Sequence, residues 1–305
     1  MEDQNFHMDA IKTLKAVIGN LALRETYVSI LNIFKFLVSS SLLLAFNGVM
    51  VVVFGFFLAS ATIVPALLFA AFLVTFAVYG LNKFTDKAED LINHPETLPR
   101  ASGYYLVFSI VSMTIGFLIG LLESILAFIV LCAPVMIGVI YSVRISKSIP
   151  RLKEVVGVKS LVVAASWALT GCLLPDSFSK AKLQVIVIVF VYIFIRIFVG
   201  TILCDVLDTK GDLATRVETI PIKLGRNKTK KLLILLNSLG ILLPIYCEVT
   251  GILIRFVPAL IFGIVYGYLA IWFFFKNNCK RFTAGLILDG EWIPIVIIIF
   301  LLIRL

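Results

Sequence analysis

The sequence predicts an all-α protein that crosses a membrane about nine times. Three observations carry this. Hydrophobic residues fill 61% of 305 positions and the mean hydropathy is +1.07, well beyond the roughly 45–50% apolar content of soluble domains. The apolar residues gather in runs of bilayer length, about 20 residues each. The basic residues segregate as well: 20 of the 27 Lys and Arg fall in the segments on one side of the runs and four in those on the other. So steep a bias places the basic segments and the N-terminus in the cytoplasm of a multi-pass protein of the cell membrane. The net charge of +9 is then mostly loop charge facing anionic membrane lipids, and it calls for no nucleic-acid partner.

The elements follow in chain order. In residues 1–25, Ile11, Leu14, Ile18 and Leu21 recur at helical spacing against Lys12, Lys15 and Asn20, which reads as an interfacial amphipathic segment rather than a cleaved signal. Spans are expected at 33–58, 62–83, 103–121, 124–142, 158–175, 183–203, 232–248, 256–275 and 286–304. Residues 36–81 carry no charge, so length alone sets the division near residues 59–62. Two long, less apolar stretches, 84–102 and 204–231, are expected to be cytoplasmic cap loops over a site, because long loops in compact proteins usually serve function. Asn93-His94-Pro95 and Leu98-Pro99 break helix in the first, and Gly211 offers a bend in the second. Lys35, Lys159 and Arg196 lie within or beside spans. Arg196, in mid-span, is about 180° round its helix from Asp205, which predicts a structural partner on a neighbouring helix. The five cysteines show no Cys-x-x-Cys pairing, so neither a disulfide framework nor a zinc site is expected. Residues 1–305 read as a single transmembrane domain.

Two acidic clusters stand at span ends. Asn82, Asp86 and Asp90 are four residues apart and spread over about 80° of a helix, so one amide and two carboxylates share a face. Asp205, Asp208 and Asp212 repeat the arrangement at i, i+3 and i+7. Carboxylates this close repel unless protons, cations or basic groups compensate them. Oxygen-rich sites without His or Cys suit Mg²⁺, which takes a few carboxylates plus phosphate oxygens of a substrate. One such cluster would pass as helix-end charge. Two on one side, beside hydrocarbon, need partners. Glu89 points elsewhere on the helix and reads as a solvated charge.

These residues resemble the UbiA superfamily of intramembrane prenyltransferases. Asn82, Asp86 and Asp90 match its Asn-x-x-x-Asp-x-x-x-Asp motif, and Asp205, Asp208 and Asp212 match its Asp-x-x-Asp-x-x-x-Asp motif. Thr219-Ile220-Pro221 and Leu224-Gly225 look like the continuation of the second. Tyr141-Ser142 ahead of the basic stretch 144–153 is a looser match, and Leu98-Pro99-Arg100 only approximates the family's Pro-x-Arg-Pro. The resemblance implies helices around a central cavity open laterally to the membrane, with all six motif residues holding Mg²⁺ and with Asp86, Asp208 and Asp212 in catalysis. Arg24, Tyr141, Arg144, Lys147 and Lys223 are the candidates for holding a prenyl diphosphate, since basic side chains clamp phosphate through charge-assisted bonds. The acceptor is expected to be lipophilic, an aromatic quinone precursor first, with a glycerol-phosphate ether lipid or a haem as alternatives.

Two rivals are weighed by pattern. A CDP-alcohol phosphatidyltransferase needs Asp-Gly-x-x-Ala-Arg, and Gly211-Asp212-Leu213-Ala214-Thr215-Arg216 has the wrong order. An ion-coupled transporter predicts charges near mid-membrane and broken helices, whereas these aspartates stand at span ends.

Overall fold

The computed structural model describes residues 28–85, 92–93, 102–142, 155–179, 181–215, 217–276 and 281–305, apart from the side chains of residues 102, 139–142 and 281–282. The amphipathic reading of residues 1–25 lies outside this set. Among the described residues every element is helical, and each of the nine apolar runs becomes helix. The first is split into α1 (Val28–Ser39) and α2 (Leu42–Leu58), bent by 70°. Five single helices follow: α3 (Pro65–Thr85), α4 (Ser102–Glu123), α5 (Ile125–Ser142), α6 (Val158–Asp176) and α7 (Leu183–Ala214). A short α8 (Ile220–Leu224) leads into α9 (Arg226–Leu239) and α10 (Leu242–Thr250), which share the seventh run. α11 (Val257–Lys276), α12 (Arg281–Asp289) and α13 (Trp292–Arg304) complete the bundle. Among the described residues, seven helical segments are long and apolar enough to cross a membrane, or eight with α1 and α2 as one span, while α5 contributes a shorter apolar stretch. The expected nine is therefore approximate.

The α1–α2 break has a local cause and a tertiary clamp. Ser41 sits in the left-handed region at φ 63°, which interrupts the helical ladder and strands carbonyls at the end of α1. Those carbonyls find partners on other helices: the Lys83 ammonium donates to Ser39 O and the Tyr105 hydroxyl to Ser40 O. The same ammonium stands 5.4 Å from the centroid of the Tyr105 ring.

Close packing without a soluble-type driving force relies on small residues. Gly55 on α2 lies against the backbone of Gly171 on α6, where a Cβ would meet Gly171 O at 1.9 Å. The largest core cluster joins α2, α6, α7, α11 and α13 around three rings: Phe54 stacks on Tyr192 at 5.3 Å, and Trp292 meets Phe54 edge-on at 5.1 Å. The buried Tyr192 hydroxyl donates to Leu260 O at 3.1 Å. Outward faces carry exposed Leu122, Leu183 and Val249 among many others, as lipid contact requires.

One expectation fails here. Residues 204–214, expected in a cap loop, continue α7 as unbroken helix. No proline interrupts them, and Gly211 does not bend the backbone. Its role is close approach: the Gly211 N–H donates to Asn93 Oδ1 at 2.8 Å, and a Cβ would sit 2.3 Å from Asn93 Nδ2. Asn93, one of the described residues of the 84–102 stretch, therefore stands against the helix that carries the second acidic cluster. Helix resumes at α8 and α9, which leaves only a brief non-helical link in 204–231 among the described residues.

Candidate active site

The extra three turns of α7 carry Asp205, Asp208 and Asp212 inward, and all three are at least nine-tenths buried. Asp205 and Asp208 line a cavity of about 330 Å³ bounded by α2, α3, α6, α7 and the α12–α13 corner. Asn82, at the end of α3, reaches the same cavity. Asn82 of the first motif and Asp205 and Asp208 of the second thus line one chamber. Asp86 and Asp90 lie outside the described residues, as do Arg24, Arg144 and Lys147, and Tyr141 closes α5 with its side chain outside the set. Among the described residues no three carboxylate, thiol or imidazole groups converge to hold a metal by themselves. The motif residues that line the chamber are Asn82, Asp205 and Asp208, oxygen donors of the kind used by a hard cation that takes few protein ligands and completes its shell with phosphate and water.

Buried carboxylates need compensation, and α6 supplies it. Lys159 Nζ stands 3.1 Å from Asp205 Oδ1 and 3.6 Å from Asp212 Oδ1, bridging carboxylates two turns apart. Its neighbour Ser160 donates to Asp205 Oδ2 at 2.6 Å. Lys83, next to Asn82, adds a second ammonium at the chamber wall. Lys223 does not join them. Its ammonium lies 3.8 Å from Glu218 Oε2 on a side chain that is 64% exposed, because the short α8 turns it outward.

Deeper in the chamber the lining changes. The Trp167 indole N–H donates to the Tyr79 hydroxyl at 3.1 Å, and the two rings stack at 6.2 Å. This pair borders both the chamber and a smaller pocket of about 60 Å³ whose walls are mostly apolar, including Val74, Val78, Leu131 and Ile137. Arg196 has found its structural partners: Nε donates to Glu291 Oε1 at 2.7 Å and Nη1 to Asn237 Oδ1. Asn237 in turn donates to Ile264 O at 3.0 Å. Gly267 makes the room, since a Cβ there would meet Arg196 Nη1 at 2.0 Å.

An intramembrane chamber with paired acidic motifs, ammonium groups beside them and an apolar side pocket is a place to hold a charged head with an apolar tail. The sequence model of the UbiA prenyltransferase family matches residues 41–284. The chain belongs to the UbiA prenyltransferase family. Solved structures agree on the fold. A UbiA homologue from Archaeoglobus fulgidus bound to GPP and Mg²⁺ superposes with a TM-score of 0.66 at 17% identity, covering 89% of this chain and 100% of that one. The same homologue bound to DMAPP and Mg²⁺ gives 0.65 at 14% identity, covering 89% and 99%. A structure described as digeranylgeranylglyceryl phosphate synthase gives 0.57 at 20% identity, covering 90% and 99%. No curated protein matches this chain.

Family membership makes this protein a prenyltransferase and removes the transporter alternative. Several residues of this UbiA-family chamber were not marked by motif spacing. Lys159 and Glu291 are lone ionisable groups at the edges of apolar runs, a signal that by itself marks function or pairing. Ser160, Asn47, Tyr79 and Trp167 carry no such signal; only the packing of α2, α3 and α6 brings them to the wall.

Proposed function

We propose that this protein transfers the prenyl group of an allylic prenyl diphosphate to an aromatic quinone precursor at the cytoplasmic face of a membrane, with Mg²⁺ as cofactor. The observation that carries it is one chamber in which Asn82, Asp205, Asp208, Lys83 and Lys159 stand at one end and a mostly apolar pocket opens beside them. Bound Mg²⁺ supplies neutralisation of the diphosphate charge, which makes diphosphate a good leaving group. Asn82, Asp205 and Asp208, with Asp86, Asp90 and Asp212 of the same motifs, hold it. The two ammonium groups attract and orient the same anion. The allylic carbon–oxygen bond breaks with its electron pair leaving on diphosphate, a carbon–carbon bond forms to the acceptor ring, and the ring proton departs. Tyr79 and Trp167 present π-faces to the developing cation, and the surrounding bundle keeps out water that would quench it. The GPP-, DMAPP- and Mg²⁺-bound relatives support the donor and the metal. The relative described as digeranylgeranylglyceryl phosphate synthase makes a glycerol-based acceptor the competing outcome.

The test is Asp208→Asn, which keeps size and removes charge at the chamber wall. Purified protein with Mg²⁺, radiolabelled prenyl diphosphates and a panel of aromatic and glycerol-phosphate acceptors should lose on the order of a thousandfold in kcat/KM in this variant. Near wild-type transfer by a folded Asp208→Asn protein would sink the mechanism. Product with glycerol-phosphate acceptors alone would move the acceptor to the second class.

A further inference from the structure

We infer that Asn47, Arg196 and Glu291 form the subsite for the polar end of the acceptor, and that this subsite selects a neutral hydroxyl over a carboxylate. The inference deepens the prenyl-transfer reading above and rests on it. Position comes first. Arg196 precedes Asp205 by nine residues on α7, which sets it about 13.5 Å along the helix from the acidic cluster, yet both line the same chamber. This wall is therefore distinct from the end that takes diphosphate.

Burial and hydrogen-bond capacity then define what the wall can hold. Arg196 is 2% exposed, Glu291 4% and Asn47 9%, and all three line the chamber. Arg196 commits three of its five N–H groups within the protein: Nε and Nη2 both fall on Glu291 Oε1, and Nη1 on Asn237. Among the described residues no donor reaches Glu291 Oε2. Asn47 Oδ1 accepts the Trp292 N–H at 3.3 Å, and among the described residues nothing accepts from its Nδ2. The wall thus combines one acceptor, the second carboxylate oxygen of Glu291, with the Asn47 amide and the two remaining Arg196 N–H groups as donors, on an ion pair that carries no net charge. A hydroxyl uses both at once, donating its proton to Glu291 and accepting from Asn47. A carboxylate has no proton to give, meets the Glu291 oxygen as a like charge, and, although the two remaining Arg196 N–H groups can bond it, adds a net charge beside a buried pair that is already neutral. Buried polar groups discriminate strongly when the wrong substituent leaves them unpaired.

Full-length protein, Mg²⁺ and radiolabelled geranyl diphosphate are incubated with two naphthol acceptors that differ in one substituent, a hydroxyl or a carboxylate. The wild type should favour the hydroxyl compound by about tenfold or more in kcat/KM. Glu291→Gln, which leaves the Arg196 charge uncompensated, should cut or reverse that ratio, by about tenfold. Asn47→Asp keeps the acceptor for Trp292 N–H and adds a second negative charge, so it should raise the preference for hydroxyl even if Glu291→Gln fails to fold. Equal wild-type efficiencies, or parallel losses for both acceptors in the variants, overturn the subsite and leave prenyl transfer standing. Release of diphosphate from the donor with no transfer to either naphthol overturns the aromatic-acceptor reading and the subsite with it.

Discussion

Replacing Lys159 by Gln removes the ammonium that bridges Asp205 and Asp212. Its distances of 3.1 and 3.6 Å correspond to about 5 kcal/mol of attraction each at an effective dielectric of about 20. Taking the charges out of water returns much of that, several kcal/mol per ion. The informative quantity is therefore the cost of leaving carboxylates uncompensated, typically about 3–5 kcal/mol for a broken buried pair. Lys159 is 28% exposed at its side chain, which places the expectation at the lower end, about 3 kcal/mol. The variant should unfold at lower temperature than wild type in chelator. The same extra negative charge should bind a divalent cation more tightly, on the order of a hundredfold for about 3 kcal/mol. Thermal unfolding of purified protein in chelator and across an Mg²⁺ titration reads both effects. The gap between the two conditions should widen in Lys159→Gln. A variant as stable as wild type in chelator, with unchanged or weaker Mg²⁺ stabilisation, would refute the idea that Lys159 serves as the resident counter-charge of these aspartates.

Three further outcomes are expected. Gly211→Ala should lose about 1–3 kcal/mol because its methyl meets the Asn93 amide, and Asn93→Ala in the same chain should recover part of the loss in thermal unfolding. Single cysteines at Thr97 and Thr215 in a Cys-free background should label from the same, cytoplasmic side, and labelling from opposite sides would separate the two motifs. Glu291→Met alone should cost about 3–5 kcal/mol, whereas Arg196→Met with Glu291→Met should cost far less, since a buried pair exchanged for apolar groups is often near neutral. A double variant as unstable as the single would assign the pair to stability rather than to the chamber.

The fold was legible where a single physical constraint dominates. A bilayer needs runs of about 20 apolar residues, and every such run in this chain is helix. What length could not decide was where helix ends in polar sequence. Cys204 to Ala214 lost its hydrophobicity but kept its helical backbone, because Asp, Leu, Thr and Lys side chains can satisfy an inward helical face as well as a loop. The α1–α2 bend was equally hidden. It depends on Lys83 and Tyr105 arriving from other helices to take the Ser39 and Ser40 carbonyls. Among the site residues, Asn82, Asp205 and Asp208 could be named because regular spacing on one helix is a local property. Lys159, Ser160 and Glu291 join them only through tertiary packing, while Lys223, beside the second motif in sequence, is turned to solvent by the short α8.

The buried Arg196–Glu291 pair also constrains how the chamber is divided. Stability does not explain it, since a desolvated ion pair gains little over apolar packing, and its accommodation takes a glycine at 267 and an amide at 237. A prenyl tail gains nothing by lying along that wall, because an apolar chain would cover the remaining polar atoms of Glu291 and Asn47 without pairing them. The apolar pocket behind Tyr79 and Trp167 carries no such penalty and includes Asn82 in its lining, at the end proposed for the diphosphate. The two ligands are therefore sorted by the polarity of the walls. On the proposed reading the tail would run behind the aromatic pair and the acceptor would stand against the charged one, so that the carbon released from diphosphate and the ring that attacks it would meet between them.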